Sequence, residues 1–415
     1  MLSIRIKLSI ILRKAGSAPQ ANNMATRTAR HILLLLFLSS LAGCISPYVP
    51  ETDEKEELLV VEGIITNQQG INTIKLSRSI PLWKNQGAEP LNGCNVWLSD
   101  DLGQIYSLKE TAYGTYITDS ATFRGETGRK YTLHITINTS SGIRNYESFP
   151  VEMKPVPPID TIYYEKEAHV YQQLDVEGCN IYLDTHDPSG NCKFYRWNYS
   201  ETWEIRLEHD APNKICWRSE NCEGIFIKNA SLLAENTITR HPVISITDPI
   251  DRLTVKYSIL VNQYSINEDE YVYWDRLKNT LDQVGGLYDL IPAYIPNNIY
   301  CIENPNEKVL GYFSVSAVSS RRLFIKDKFN GHDESCNSEI KFGLPKFDWS
   351  DPRSPTYGMD TSIVGLNATV WVAEDHTDEI PPFRVLVHTR WCSDCTKKGI
   401  IGEYINIKPS FWDED

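Results

Sequence analysis

Gly128-Arg-Lys-Tyr-Thr-Leu-His-Ile-Thr-Ile137 carries an apolar side chain at every second position from Tyr131, with Thr and His between them. Successive side chains of a strand point to opposite faces, so this segment has one face for a core and one for solvent. It predicts a half-buried β-strand. Its neighbours read the same way: Leu58-Leu-Val-Val-Glu-Gly-Ile-Ile-Thr66 is a β-branched run closed by Asn67 to Gly70, and Asn72-Thr-Ile-Lys-Leu-Ser77 alternates. Cys94-Asn-Val-Trp-Leu98, the turn Ser99 to Gly103, Gln104-Ile-Tyr-Ser-Leu108 and Tyr113-Gly-Thr-Tyr116 add further short strands. Even spacing with turn residues between strands predicts a β-sandwich over residues 58–152.

Four prolines between Pro150 and Pro158 mark a boundary, after which residues 156–415 are expected to form a second β domain. Asp160-Thr-Ile-Tyr-Tyr164 opens it. Phe194-Tyr-Arg-Trp-Asn-Tyr199, Trp203 to Leu207, Val243 to Ile246 and Leu253 to Val261 supply strands, and Asp187-Pro-Ser-Gly190 supplies a hairpin turn. One helix is predicted over 268–284. Asn267 stands at its cap, Glu270 at the capping-box position and Gly285-Gly286 beyond its end, while Tyr271, Trp274, Leu277, Lys278 and Leu281 recur at helical spacing. Gly311 to Val318 and Arg322 to Ile325 read as returning strands, so the helix is expected as an insertion in the second sandwich, followed by a loop-rich tail. The predicted fold is mainly β: two β-sandwich domains, immunoglobulin-like or prealbumin-like, with one inserted helix. The strand order of the first domain resembles prealbumin-like and carboxypeptidase-regulatory-like modules, which implies a spacer or docking role.

Ahead of the first strand, Arg27 and Arg30 precede the apolar run Ile32 to Leu38, and Leu41-Ala-Gly-Cys44 follows it. Basic, apolar, small, cysteine is the layout of a secretory signal ending in a lipobox. The run is too short for a membrane span, which takes about 20 apolar residues. Residues 1–43 are therefore expected to be a signal peptide with its true start at Met24. Cys44 is the expected lipidation site, and 44–57 is a lipidated tether whose prolines and charges cannot bury a core. Removing 1–43 takes away six basic residues and no acid, so 35 Lys/Arg face 54 Asp/Glu, a formal net charge of −19. Such a surface repels phosphate backbones, which argues against nucleic-acid partners. The expected location is the outer membrane, held by the lipid anchor, with exposure at the cell surface as a further expectation.

Ten cysteines agree with export. Cys216 and Cys222 close a short loop, Cys392 and Cys395 a shorter one, and Cys336 competes for one of the last two, so connectivity stays open. Trp391-Cys-Ser-Asp-Cys395 has thioredoxin-like spacing, yet Gly399, Gly402 and Pro409 interrupt any following helix, which favours a structural disulfide over a redox centre. A zinc site of Cys301, Cys336, Cys392 and Cys395 is the lesser alternative. His186-Asp187 and Asp375-His376 with Asp378 and Glu379 have ligand types for a divalent ion, but acidic turns are the commoner explanation. No nucleophile elbow, HExxH or phosphate loop is present in the sequence, and no cofactor is expected.

Val255 to Tyr264, Tyr273-Trp-Asp-Arg-Leu-Lys278, Gly285-Gly-Leu-Tyr-Asp289, Asn298 to Glu307 with Val309-Leu-Gly-Tyr312, and Cys392-Ser-Asp-Cys-Thr with Lys408-Pro-Ser-Phe-Trp412 resemble the domain-of-unknown-function lipoprotein family four-two-four-nine. The resemblance implies an outer-membrane lipoprotein that accompanies a TonB-dependent receptor in nutrient uptake, without catalysis. The alternatives are a surface module binding a glycan or peptide on aromatics such as Tyr294 or Tyr300, and a thiol-dependent or hydrolytic enzyme.

Overall fold

The computed structural model describes residues 57–79, 88–140, 142–171, 173–207, 213–222, 224–233, 236–247, 251–283, 295–330, 340–344, 371–372, 383–387, 394–398 and 403–414; of 340–344, 371–372 and 383–387 it describes the backbone course alone. The chain is mainly β. Its first ten strands are β1 (Leu59–Thr66), β2 (Thr73–Arg78), β3 (Glu89–Pro90), β4 (Asn95–Asp100), β5 (Ile105–Ser107), β6 (Lys109–Ala112), β7 (Thr115–Ile117), β8 (Lys130–Thr139), β9 (Gly142–Ser148) and β10 (Val151–Glu152). They form two sheets, one ordered β1-β2-β7-β6 with β3 beside β2, the other β9-β8-β4-β5 with β10 beside β8. The alternation in β8 is realised as expected: Tyr131, Leu133, Ile135 and Ile137 are buried and the residues between them half-buried. Those side chains share one core with Val61, Ile65, Ile74 and Leu76 of the other sheet.

The next seven strands are β11 (Ile159–Tyr171), β12 (Leu174–His186), β13 (Phe194–Arg206), β14 (Ile215–Asn221), β15 (Phe226–Asn229), β16 (Thr237–Ile246) and β17 (Lys256–Ser265). The helix α1 spans Glu268–Gln283, and β18 (Ile299–Cys301), β19 (Val309–Ser316) and β20 (Val318–Ile325) follow. A second pair of sheets, β11-β12-β16 and β14-β13-β17-β20 with β15 beside β13, encloses a second core around Ile181, Leu183, Tyr195, Trp203, Tyr257 and Ile259. Farther along, β21 (Ile340–Leu344), β22 (Trp371–Val372) and β23 (Phe383–Val387) form a small sheet in the order β21-β23-β22.

The place of α1 departs from expectation. The strands after it return to the first pair of sheets: β18 lies against β9, and β19 runs parallel to β1 in the register Leu59↔Val309 to Thr66↔Ser316. Only after Ala317 does the chain rejoin the second pair, where β20 lies antiparallel to β17. A parallel pair needs a long crossover. Here that crossover is everything from β2 to β18, so α1 is a connection from the second pair of sheets back to the first. The apolar side chains of Val309–Ser316 would satisfy either core, so its hydrophobic pattern does not select its partner.

Hydrogen bonds reinforce the junction. Val318 N donates to Asn67 Oδ1 at 2.9 Å and Gln68 Nε2 to Ser320 Oγ at 2.8 Å. A third apolar cluster of Phe194, Tyr264, Ile266 and Val318, joined by Ile64, Tyr271 and Trp274, sits where α1 meets both pairs.

Candidate functional site

Among the described residues, Tyr300, His186 and Asp187, singled out in the sequence, are engaged in building the fold. Tyr300 is half-buried on β18, its hydroxyl donating to Glu147 Oε2 at 3.1 Å and its ring centred 5.2 Å from that of Phe149. Asp187 closes its turn: Oδ1 accepts from Ser189 N at 3.0 Å and Oδ2 from Cys192 N at 2.6 Å. His186 Nδ1 lies 2.6 Å from Asp160 Oδ2. Among the described residues no group of three or more His, Cys, Asp or Glu is arranged to hold a metal ion. Cys44, Tyr294, Cys336, Asp375, His376, Asp378, Glu379 and Cys392 lie outside the described residues.

The cysteine pairing differs from both short-loop expectations. Cys216 is bonded to Cys395, 179 residues away, while the Cys222 thiol is free and accepts a hydrogen bond from Tyr199 N at 3.2 Å. With its sulfur in that bond, Cys395 is neither a zinc thiolate nor half of a Cys392–Cys395 redox pair. The disulfide belongs to a clasp by which residues 394–398 and 403–414 grip β13 and β14. Trp217 and Ile405 exchange backbone hydrogen bonds, and Trp412 Nε1 donates to Glu204 Oε2 at 2.9 Å. Fully buried Asp251 accepts from Tyr404 Oη at 2.7 Å and pairs with Lys398.

Open, unengaged functionality is found beneath α1. The helix begins with Glu268, Asp269 and Glu270, acids suited to the positive end of its dipole. Its buried face is rotated and shortened relative to the apolar spacing: Glu270 and Tyr273 are buried, Tyr271, Trp274 and Leu277 half-buried, and Lys278 and Leu281 exposed. Glu270 is 0% exposed. Rather than reaching back as a capping box, its carboxylate turns inward, where Oε1 accepts from Ser314 Oγ at 2.6 Å and Trp274 Nε1 at 3.1 Å. Its Oε2 is buried without a partner. Burial pushes its pKa up, and Arg196 with the two donors pulls partly the other way.

Beside Glu270 opens a cleft of about 530 Å³. Its floor is the outer face of β1, β2 and β19, with Val60, Ile64 and Tyr312 among its residues. Its wall is Tyr273, Trp274 and Leu277 of α1, and Arg196 of β13 lines one side. Cross-strand neighbours Arg196 and Tyr264 place the guanidinium 5.1 Å from the Tyr264 ring centroid, and Trp274 lies at 4.7 Å on α1. Arg196 Nε is buried with no hydrogen-bond partner. Ligand pockets are typically apolar clefts of 300–1,000 Å³ with a few convergent polar groups, which this cleft matches.

A second cleft, about 480 Å³, is lined by Tyr182, Tyr199, Phe226 and His241, with Lys278 of α1 beside them. The His241 ring lies 4.3 Å from Trp197, and its Nε2 is buried without a partner. Burial, with Lys228 and Lys278 adding to it, pushes the His241 pKa down to about 4, so the ring is neutral near pH 7.

The family DUF4249, described as a domain of unknown function, matches residues 45–322, about two thirds of the chain. The chain belongs to this family. The DUF4249 match begins directly after Cys44 and ends within β20, so β1, Arg196, Glu270, α1 and β19 all lie inside it. The clasp at 394–398 and 403–414 lies beyond it. No curated protein matches the chain.

Sequence reasoning did not single out Glu270 or Arg196 as site residues. Glu270 occupies a capping-box position, which gave it a sufficient local explanation. The available signal for Arg196 was its setting, Phe194-Tyr-Arg-Trp197, a lone cation inside an aromatic strand.

Proposed function

We propose that this DUF4249 protein is a non-catalytic binding protein, anchored in the outer membrane by lipid on Cys44, and that it serves as an accessory to a TonB-dependent receptor in nutrient uptake. In this reading its two pairs of sheets are sandwich modules of immunoglobulin-like or prealbumin-like kind, and 44–57 is the tether that lets them lean on a neighbour. One observation carries the binding role: the cleft beneath α1 is lined by apolar and aromatic side chains and by Arg196, whose Nε has no partner, while His186, Asp187 and Asp251 serve loops and the clasp. The start of the family match at residue 45 supports the reading of 1–43 as a leader. The test is affinity purification of the protein from membranes dissolved in mild detergent. A stoichiometric TonB-dependent receptor is expected alongside it. Intact protein recovered without any receptor, at native expression, overturns the accessory role.

A surface module that holds a glycan or peptide by itself is the second reading, favoured by the aromatic walls of the same cleft. Tyr300 is less suited to that task, because Glu147 holds its hydroxyl and Phe149 packs on its ring.

A further inference from the structure

We propose that the cleft beneath α1 takes small molecules that join an apolar body to a carboxylate, and that the guanidinium of Arg196 receives the carboxylate. The inference rests on the binding role of the cleft and not on the receptor partnership. Its first support is the state of Arg196. Several other arginines meet acids or carbonyls, Arg129 with Asp100 and Asp101, Arg218 with Glu220 and Glu403, Arg240 with Glu165, and Arg321 with the carbonyls of Ile159 and Asp160, while half-buried Arg322 donates to the Ser258 hydroxyl. Arg196 is half-buried and has neither kind of partner among the described residues. In a mature chain with 54 acids and 35 bases, a half-buried guanidinium left without a carboxylate is a place for one from outside. Arginine suits that role because its planar fork matches both oxygens of a carboxylate. The Trp274 and Tyr264 rings hold the fork in place, which lowers the ordering cost of binding.

The second support is the shape and lining. Val60, Ile64, Tyr273, Leu277 and Tyr312 make the remainder of the cleft largely apolar, and its volume of about 530 Å³ suits a ligand of dipeptide or medium-chain fatty-acid size. Glu270 does not satisfy Arg196, since its Oε1 is engaged by Ser314 and Trp274 and no ion pair joins the two side chains. Glu62 and Lys75, which also line the cleft, are direct cross-strand partners, so their opposite charges largely offset each other. Arg196 is then the lining cation with no acid opposite it, while Glu270 lies behind the lining, held by Ser314 and Trp274.

Two sources offer this chemistry, the C-terminus of an apolar peptide and a free fatty acid. The test uses the full lipidated protein in nanodiscs, with empty discs as blank, titrated with N-acetyl-Leu-Phe and its C-terminal amide, and with octanoate and octanamide. The expected result is that at least one acid binds tenfold or more tightly than its own amide. A preference in the peptide pair points to peptides, and one in the octanoyl pair to fatty acids. Arg196→Gln is expected to abolish the preference while leaving amide affinity within twofold. Equal binding of acid and amide overturns the carboxylate assignment while leaving the cleft a binding site. No binding of any of the four overturns both. The preference is read in the unsubstituted protein, so a misfolded Arg196→Gln does not remove the test.

Discussion

Gly311 lies opposite Val61 in the parallel pairing of β1 with β19, and a Cβ added at residue 311 would fall inside contact distance of the Val61 carbonyl oxygen. Its φ is +87°, a region L side chains rarely enter. Both facts make glycine a requirement of the one pairing that brings the chain back from α1 to the first sheet. Gly311→Ala is expected to destabilise the protein by about 2–3 kcal/mol, from left-handed strain plus the clash. A urea titration followed by tryptophan fluorescence measures it. A change below about 0.5 kcal/mol would show that β19 does not approach β1 so closely.

The Cys216–Cys395 bond ties β14 to the clasp across 179 residues. Non-reducing peptide mapping should recover that linked pair, with Cys222 alkylated. Cys216→Ser is expected to lower stability by about 2–4 kcal/mol and to expose residues 403–414 to protease before β13 and β14. Recovery of a Cys216–Cys222 peptide would refute the clasp geometry.

His241 supplies a pH dependence. An unfolded histidine titrates near 6.5, while burial beside Trp197, with Lys228 and Lys278 nearby, pushes the folded value down to about 4. Between these values the unfolded chain binds the extra proton, so stability is full above pH 6.5 and falls as pH drops toward 4. The loss is on the order of 2–3 kcal/mol from this residue. Melting temperatures of the protein and of His241→Phe, compared from pH 7 to pH 4.5, should separate toward the acid end, with the unsubstituted protein falling faster. Parallel curves would contradict the assignment.

Glu270 runs the other way. Burial raises its pKa, so the folded state holds its proton more tightly than the unfolded chain, and the residue costs stability as pH rises above the ordinary glutamate range. A buried acceptor without a partner costs about 1–3 kcal/mol. Glu270→Gln is therefore expected to gain about 1 kcal/mol at pH 7 and nothing at pH 4, read from urea midpoints. A loss of stability at pH 7 would mean that the carboxylate has a partner in solution.

Strands β1, β2, β4 and β8 were legible because each sends one face to a core and one to water, which writes alternation into Tyr131, Leu133, Ile135 and Ile137. The helix was legible to within a residue at its C-terminus, from its spacing and the Gly285-Gly286 that follows. Its inner face was not, since apolar periodicity has no symbol for a buried carboxylate, and Glu270 is the most buried side chain of α1. The candidate cleft was illegible for the same reason: it is made by residues from β1, β2, β13, α1 and β19, none unusual in its own segment.

By itself the sequence determined many of the strands, where the one described α-helix lies, and that acids outnumber bases. These follow from side-chain spacing and composition, which are local. Tertiary structure alone decided that β19 joins β1, that Cys216 reaches Cys395, and that Arg196 comes to line the cleft beneath α1. Backbone hydrogen bonds are the same for every strand and apolar faces are interchangeable among cores, so partners far apart in the chain are selected only when the whole set of surfaces closes at once.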